Sequence, residues 1–182
     1  LVAFQKQNPD VVVRFLTGER LFRLEYGEAH VAIRAGAVPQ QPDNVVQPLM
    51  KMRVGLYAHK SYIAEFGLPE TTEAYANHRF VVHDDLENRA PFFGWLRSIL
   101  PEKAMSFRCT EWNAMVDAIM TGAGIGFLSL KDARDNPDLV EVHPPLPEWD
   151  SPLWLVTHVD LHRTLKVQTF LTFLKESLKG DA

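Results

Sequence analysis

The chain has 182 residues, of which 46% are hydrophobic and 23% charged, enough for one sizeable core or for two small lobes. Its formal net charge of −4 argues against nucleic-acid binding by this chain itself, because neutralising phosphates requires clustered Lys and Arg. No run reaches the roughly 18 apolar residues of a membrane span, and the single cysteine, Cys109, excludes a disulfide within the chain.

The first residues, 1–4, have the apolar spacing of the end of a helix, so we expect the chain to be a piece of a longer protein. The run "VVVRFL" (11–16) predicts a strand. A helix is then expected to begin at Thr17-Gly18 and to stop at Gly27. A second strand is predicted at 30–36.

Farther along, strands and helices alternate. Two strand segments are expected within 45–59, and further strands at 79–85, 105–112, 125–130, 139–144 and 152–158. Helical segments are expected at 60–67, 71–78, 91–100, 113–124 and 163–180, with Gly180 ending the last one. This alternation predicts an α/β fold of two small lobes, with mainly parallel sheets covered by helices.

Ligands of such folds bind beyond the carboxyl ends of strands, where loops enter helix N-termini. This rule points to 17–18, 34–36, 83–84, 112–113 and 127–129. Within these segments the candidate ligand-binding residues are Thr17, Gly18, Arg34, Ala35, Gly36, His83, Asn113, Phe127 and Ser129.

Arg34 ends an apolar strand, and its guanidinium could hold a carboxylate through two hydrogen bonds. The alternative is an ion pair with Glu28, Asp84 or another carboxylate of the chain. Thr17, with the amides that follow it, could bind an anion at a helix start or could act only as the helix cap.

The remaining candidates also have two interpretations each. Asn113 could face a ligand or only cap the helix that it opens. Phe127 and Ser129 lie where "GIGFLSL" ends, and Phe127 could stack on a ligand or pack in the core. His83 could donate to an anion or be a structural histidine.

Metal and catalytic sites are not expected. His158 and His162 are four residues apart, but the stretch between them is a strand-to-helix junction without supporting carboxylates or cysteines. No Gly-x-Ser-x-Gly elbow or phosphate-binding glycine loop occurs, so no nucleophile, catalytic residue or cofactor is assigned. Cys109 is interpreted as a small buried hydrophobe on a strand, with a thiol nucleophile as the lesser alternative.

An ordered series of motifs resembles the effector-binding domain of LysR-type transcriptional regulators. The series covers the whole chain and consists of "GEAHVAIRAG" (27–36), "VVQPLMKMRVGLYAHKSYIAEFGLPETTEAYANHRFVVHDD" (45–85), "MVDAIMTGAGIGFLSL" (115–130), "PDLVEVHPPLP" (137–147) and "SPLWLVTHVDLHRTLKVQTFLTFLKESL" (151–178). The resemblance departs at His30, where the family usually has an aspartate.

The resemblance implies two Rossmann-like lobes joined by two crossover strands, as in type 2 periplasmic binding proteins. Lobe I would comprise 1–53 plus 155–182, and lobe II 54–154. An N-terminal winged helix-turn-helix, a linker helix and a first strand would precede the chain and are absent from it. In the family the position of Arg34 often lines the cleft between the lobes.

The function implied is sensing of a small molecule, with a carboxylate as the candidate, in the inter-lobe cleft of a cytoplasmic regulator. The domain would form a homodimer or tetramer, bind DNA only through the missing N-terminal domain, and make no contact with a membrane. The alternatives are an extracytoplasmic solute-binding protein of similar fold and an enzyme, which would need an acid–base cluster that the sequence lacks.

Overall fold

The structure is a computed structural model that describes residues 1–18, 20–85, 88 and 90–178. The chain divides into two compact units. The first unit comprises Leu1–Met50 and Pro152–Ala182, and the second comprises Lys51–Ser151.

The first unit is a three-stranded sheet with helices. Its elements are α1 (Val2–Gln7), β1 (Ala32–Ala35), most of β2 (Asn44–Met52), most of β8 (Ser151–His158), α6 (Val159–His162) and α7 (Leu165–Leu178). The sheet order is β1-β8-β2, and β1 runs antiparallel to β8, with Arg34 opposite Trp154. Leu155, Val167 and Leu171 form its core, while Phe4 of α1 packs edge-on against Phe170 and Phe173 of α7.

The second unit contains the remaining strands and helices. They are β3 (Val54–His59), α2 (Lys60–Phe66), β4 (Val81–His83), α3 (Pro91–Ile99), β5 (Phe107–Cys109), α4 (Trp112–Met120), β6 (Gly126–Ser129), α5 (Leu130–Ala133) and β7 (Leu139–His143). Strand β3 lies between β6 and β7, and β4 pairs with β5. Short 3₁₀ helices occur in this unit at Glu73–Asn77, Glu102–Ala104 and Pro147–Trp149, and in the first unit at Leu24–Tyr26.

The prediction of mainly parallel sheets is wrong. Strand β1 is antiparallel to β8, and β3 is antiparallel to both β6 and β7. Parallel pairing joins β4 to β5, which are connected through α3, and a further parallel bridge joins Phe80 to Ile125. A crossover helix makes its two strands parallel only if both enter the same sheet. Here β3 follows β2 after the single residue Arg53, so no crossover helix sets its direction.

The expected strand at 11–16 and helix at 17–27 are not formed. The described residues from 11 to 23 are neither strand nor helix, and only the turn Leu24–Tyr26 precedes Gly27, which has the left-handed φ of +69° that ends it. The side chains of Val12 and Phe15 are 92% and 71% exposed. A β-branched run becomes a strand only when a neighbouring strand completes its hydrogen bonds and covers one face, and the sheet β1-β8-β2 does not include this run.

The other predicted helices and strands are confirmed within a few residues, although 71–78 forms a 3₁₀ turn instead of an α-helix. Gly180, the expected end of the last helix, lies outside the described residues. Within the described ranges, no helix is both long and apolar enough to cross a membrane.

Candidate functional site

Arg34 lies near the end of β1 and is half-buried. Its Nη1 donates to Oε1 of Gln41 over 3.1 Å, and its Nη2 donates to the carbonyl oxygen of Phe22 over 3.3 Å. Both acceptors are uncharged. The expected alternative, an ion pair with Glu28, is not formed, because the Glu28 carboxylate accepts from Arg20 and from the backbone N–H of Arg23, each over 2.8 Å.

Burial lowers the pKa of Arg34 below its ordinary value, and the more distant carboxylate of Glu25 only partly opposes this effect. Arginine nevertheless stays protonated at neutral pH. Among the described residues no carboxylate lies within ion-pair distance of Arg34, so its positive charge is not neutralised locally. A half-buried guanidinium in this state favours an anion as a neighbour.

Strand β8 holds the C-terminal end of β1 in place. The N–H of Gly36 donates to the carbonyl oxygen of Pro152 over 2.9 Å, and the indole N–H of Trp154 donates to the carbonyl oxygen of Gly36 over 2.8 Å. Gly36 has φ of +94°, which a residue with a side chain rarely adopts. Ala35 beside it is exposed. The side chain of Arg34 is therefore carried by a fixed backbone.

Thr17 and Gly18 are exposed and do not begin a helix, so the expected anion site on helix N–H groups is not formed there. Asn113 does not cap α4 as expected: the helix begins at Trp112, its cap position is Glu111, and Asn113 is exposed in the first turn.

His83 is a buried residue at the end of β4, and the structural interpretation is the one that its contacts support. Its Nδ1 accepts the N–H of Asp85 over 3.0 Å, and its Nε2 lies 3.1 Å from the carbonyl oxygen of Thr110. The imidazole therefore connects the segments that follow β4 and β5. The cavity beside it has a volume of only about 10 Å³, the space of one water molecule.

Phe127 is 2% exposed and belongs to the core of the second unit. Its ring centroid lies 5.0 Å from that of Phe92 and 4.9 Å from that of Trp149, in tilted and edge-on geometries that aromatic pairs prefer. Core packing is thus the interpretation of Phe127 that burial supports.

Ser129 caps the short helix α5. Its Oγ accepts the N–H of Asp132 over 3.0 Å and donates to the Asp132 carboxylate over 2.6 Å. The first bond is the usual N-cap of a helix start. The hydroxyl therefore has one donor and one acceptor partner within its own helix.

Cys109 lies on β5, so the expected strand position is confirmed, but its side chain is half-buried instead of buried. Burial, together with the carboxylate of Asp84, raises the pKa of its thiol, which favours the less reactive protonated form. No group of three or more His, Cys, Asp or Glu side chains in the described part of the chain could hold a metal ion.

Sequence reasoning missed a repeated use of histidine. His59, His83 and His158 each end a strand, and the Nδ1 of each accepts the N–H two residues later, from Ser61, Asp85 and Asp160 respectively. The recurring signal is a histidine at a strand end followed by Ser or Asp at the second position. It predicts local caps instead of ligand contacts.

His30, the departure from the family pattern, has a defined partner. Its Nε2 lies 2.7 Å from Nζ of Lys166 in the first turn of α7, so it accepts a hydrogen bond from the ammonium group. An aspartate at this position would make an ion pair with the same lysine.

Comparisons with known proteins identify the family. The model of the LysR substrate binding domain matches residues 1–179, and the chain therefore belongs to this family. The HTH-type transcriptional regulator YcaN of Escherichia coli K12, itself described as uncharacterized, is 22% identical over 153 residues, which are 83% of this chain and 50% of that protein. The chain thus spans about half the length of this relative.

Solved structures show the same fold. The regulatory domain of CrgA, a LysR-type transcriptional regulator from Neisseria meningitidis, superposes with a TM-score of 0.76 at 23% identity, over 97% of this chain and 89% of that one. The effector domain of the transcriptional regulator AmpR of Pseudomonas aeruginosa gives a TM-score of 0.75 at 16% identity, over 100% of this chain and 88% of that one. The fold is the two-lobed type 2 periplasmic-binding-protein-like fold of LysR regulatory domains.

Proposed function

We propose that this chain is the small-molecule-sensing domain of a longer LysR-type transcriptional regulator. The observation that carries the proposal is the match of the family model to residues 1–179, almost the full chain. In this proposal the DNA-binding part belongs to another region of the longer protein, which is supported by the chain's spanning 50% of the HTH-type regulator YcaN. The acidic balance of the chain supports this division of labour, since phosphate binding needs basic clusters.

The effector is a small anion, of which a carboxylate is the simplest example. Arg34 supports this assignment, because its half-buried guanidinium is hydrogen-bonded only to uncharged acceptors. Its neighbours Ala35, which is exposed, and Gly36, which is half-buried, stay candidates for further contacts, as do the exposed residues Thr17, Gly18 and Asn113. For His83, Phe127 and Ser129 the contacts within the chain favour structural roles.

Effector binding acts on transcription by shifting a conformational equilibrium. A ligand shifts such an equilibrium only by its differential affinity for the two states. The protein works as a homodimer or tetramer in the cytoplasm, so that a change in one domain alters the spacing of the DNA-binding parts. The solute-binding alternative has no observation in its favour, since the named relatives are transcriptional regulators.

The test uses the full-length protein that contains this chain. Sheared genomic DNA of the source organism is incubated with the purified protein, and the retained fragments are sequenced with and without a carboxylate library. We expect a few fragments to be enriched strongly, and their retention or footprint to change with one compound class. Retention of all fragments to the same extent would contradict the proposed function.

A further inference from the structure

The two hydrogen-bond acceptors of the Arg34 guanidinium group are both uncharged. A partly buried arginine is ordinarily compensated by a carboxylate, because an uncompensated charge is costly to bury. Arg34 instead donates to the amide oxygen of Gln41 and to a backbone carbonyl. These bonds use two of its five N–H donors. The other three N–H groups stay available, and the guanidinium group keeps its full positive charge.

Gln41 is exposed, and Asn44 contacts both its backbone and its side chain. The backbone N–H of Asn44 donates to the carbonyl oxygen of Gln41 over 3.2 Å, and the Asn44 side-chain amide lies 3.5 Å from Oε1 of Gln41. Two residues after Gln41, the backbone carbonyl oxygen of Asp43 accepts the N–H of Val159 at the start of α6 over 2.9 Å. The loop between β1 and β2 is thus anchored near both ends, at Gly36 and at Asp43.

Among the described residues, the nearby acidic side chains do not replace Gln41. Glu28 is committed to Arg20 and to the backbone of Arg23. Glu25 influences Arg34 only at longer range. Position 41 is therefore the place where a carboxylate would neutralise Arg34, and the chain has the uncharged isostere of glutamate there.

We propose that Gln41 positions Arg34 and determines that the ligand of this site is an anion. An amide oxygen orients the guanidinium without cancelling its charge, and the free N–H groups then bind a carboxylate or a similar oxyanion. A glutamate at position 41 would occupy the same space and satisfy Arg34 internally. The inference rests on the proposed function only in taking the ligand of this site to be the effector.

The experiment compares Gln41→Glu with Gln40→Glu in the full-length protein. Gln40 is exposed and bonds only to the carbonyl oxygen of Val38, so its variant adds the same charge one residue away. Binding is measured by thermal shift and calorimetry with benzoate, succinate and inorganic phosphate at matched ionic strength. Benzamide and succinamide serve as uncharged counterparts.

We expect at least one anion, and not its amide, to bind the unmodified protein and Gln40→Glu. We expect Gln41→Glu to bind that anion about tenfold more weakly or worse, as for loss of a charge-assisted hydrogen bond. Its melting temperature without ligand should equal or exceed that of Gln40→Glu, because the new carboxylate pairs with Arg34. Gln41→Met, which keeps the charge of Arg34 but removes the acceptor, should weaken binding less while keeping the preference for anions.

Three results would overturn the inference: equal anion binding by Gln41→Glu and Gln40→Glu, a Gln41→Glu protein less stable than Gln40→Glu, or no anion bound by the unmodified protein. Each of these is separate from the genomic DNA test. A protein that retains specific DNA fragments but binds no anion at Arg34 is still a regulator, and its effector then has another charge.

Discussion

The indole N–H of Trp154 donates a 2.8 Å hydrogen bond to the carbonyl oxygen of Gly36, which lies 118 positions earlier in the chain. Trp154 is also the cross-strand partner of Arg34. One side chain of β8 therefore secures the end of β1 beside the proposed anion site.

Replacing Trp154 by Phe should remove this hydrogen bond while keeping an aromatic ring. We expect a loss of about 1 kcal/mol in the free energy of unfolding, the usual contribution of one such bond. Anion binding at Arg34 should weaken with it, because the backbone that carries Arg34 becomes less fixed. Urea unfolding followed by circular dichroism measures the first effect, and calorimetry with the best anion measures the second. Unchanged values of both would show that the bond does not support the site.

Phe127 offers a test of the core interpretation. Phe127→Ala should lower the free energy of unfolding by about 3–5 kcal/mol, the range for large-to-small changes in packed cores. Phe127→Leu should cost clearly less, because most of the volume is retained. Chemical denaturation of the two variants gives the comparison. A small effect of the alanine variant, combined with lost anion binding, would instead indicate a ligand contact.

Ser129→Ala separates a helix cap from a ligand contact. The substitution removes the acceptor of the Asp132 N–H and should cost about 0.5–2 kcal/mol of stability. Ser129→Thr should keep most of that stability, because threonine can also cap. Anion affinity should be the same in both variants, and a selective loss of affinity in the alanine variant would argue against a purely structural role.

His30→Asp should convert the hydrogen bond with Lys166 into an ion pair. Since both side chains are exposed, we expect a gain of only about 0–1 kcal/mol, which should shrink as salt is added. Thermal melting at low and high ionic strength measures it. The matched control is the same substitution in a Lys166→Met background, where the gain should vanish.

The pH dependence of stability should contain a contribution from His78. Burial lowers the pKa of His78 below its ordinary value of 6.5, so the folded state favours the neutral imidazole. Its Nδ1 accepts the Tyr62 hydroxyl hydrogen, because that hydroxyl oxygen already accepts the N–H of Arg79 over 2.8 Å. The stabilisation is therefore present above pH 6.5 and is lost as the pH falls through the lowered pKa of the folded state.

His78→Gln should flatten this part of the stability profile, because glutamine does not titrate. Denaturation midpoints between about pH 7 and pH 5, either side of the histidine pKa, provide the measurement. His30→Gln is the control, because it removes an exposed histidine of the other unit. An equal slope in His78→Gln and in the unmodified protein would exclude His78 as the source.

Most of the secondary structure could be predicted because it is encoded locally. Alternating or continuous apolar runs marked β3, β6, β7 and β8, and the stripe Val167, Phe170, Leu171 and Leu174 marked α7. The segment 11–16 could not be predicted correctly, because its apolar β-branched run has the composition of a strand, but the described sheets contain no strand that pairs with it.

The candidate site shows the same limit. Arg34 was selected from its position at a strand end, but its partners Gln41, Phe22 and Trp154 are set by loop conformation and strand register, which no local pattern encodes. Ser129 and His83 were selected by a rule for parallel sheets. Their hydroxyl and imidazole groups turned out to bond to the nearby backbone, because short polar side chains after a strand compete for unpaired N–H groups.

The placement of the tryptophans has a practical consequence for optical measurements. Three of the four, Trp95, Trp112 and Trp149, belong to the second unit, and Trp154 is the one tryptophan of the first. Intrinsic fluorescence will therefore report mainly the loss of structure around the aromatic core of the second unit. In the Trp154→Phe protein, tryptophan emission will come from the second unit alone, whereas circular dichroism will follow both units. A difference between the two unfolding curves will then show that the two units unfold separately.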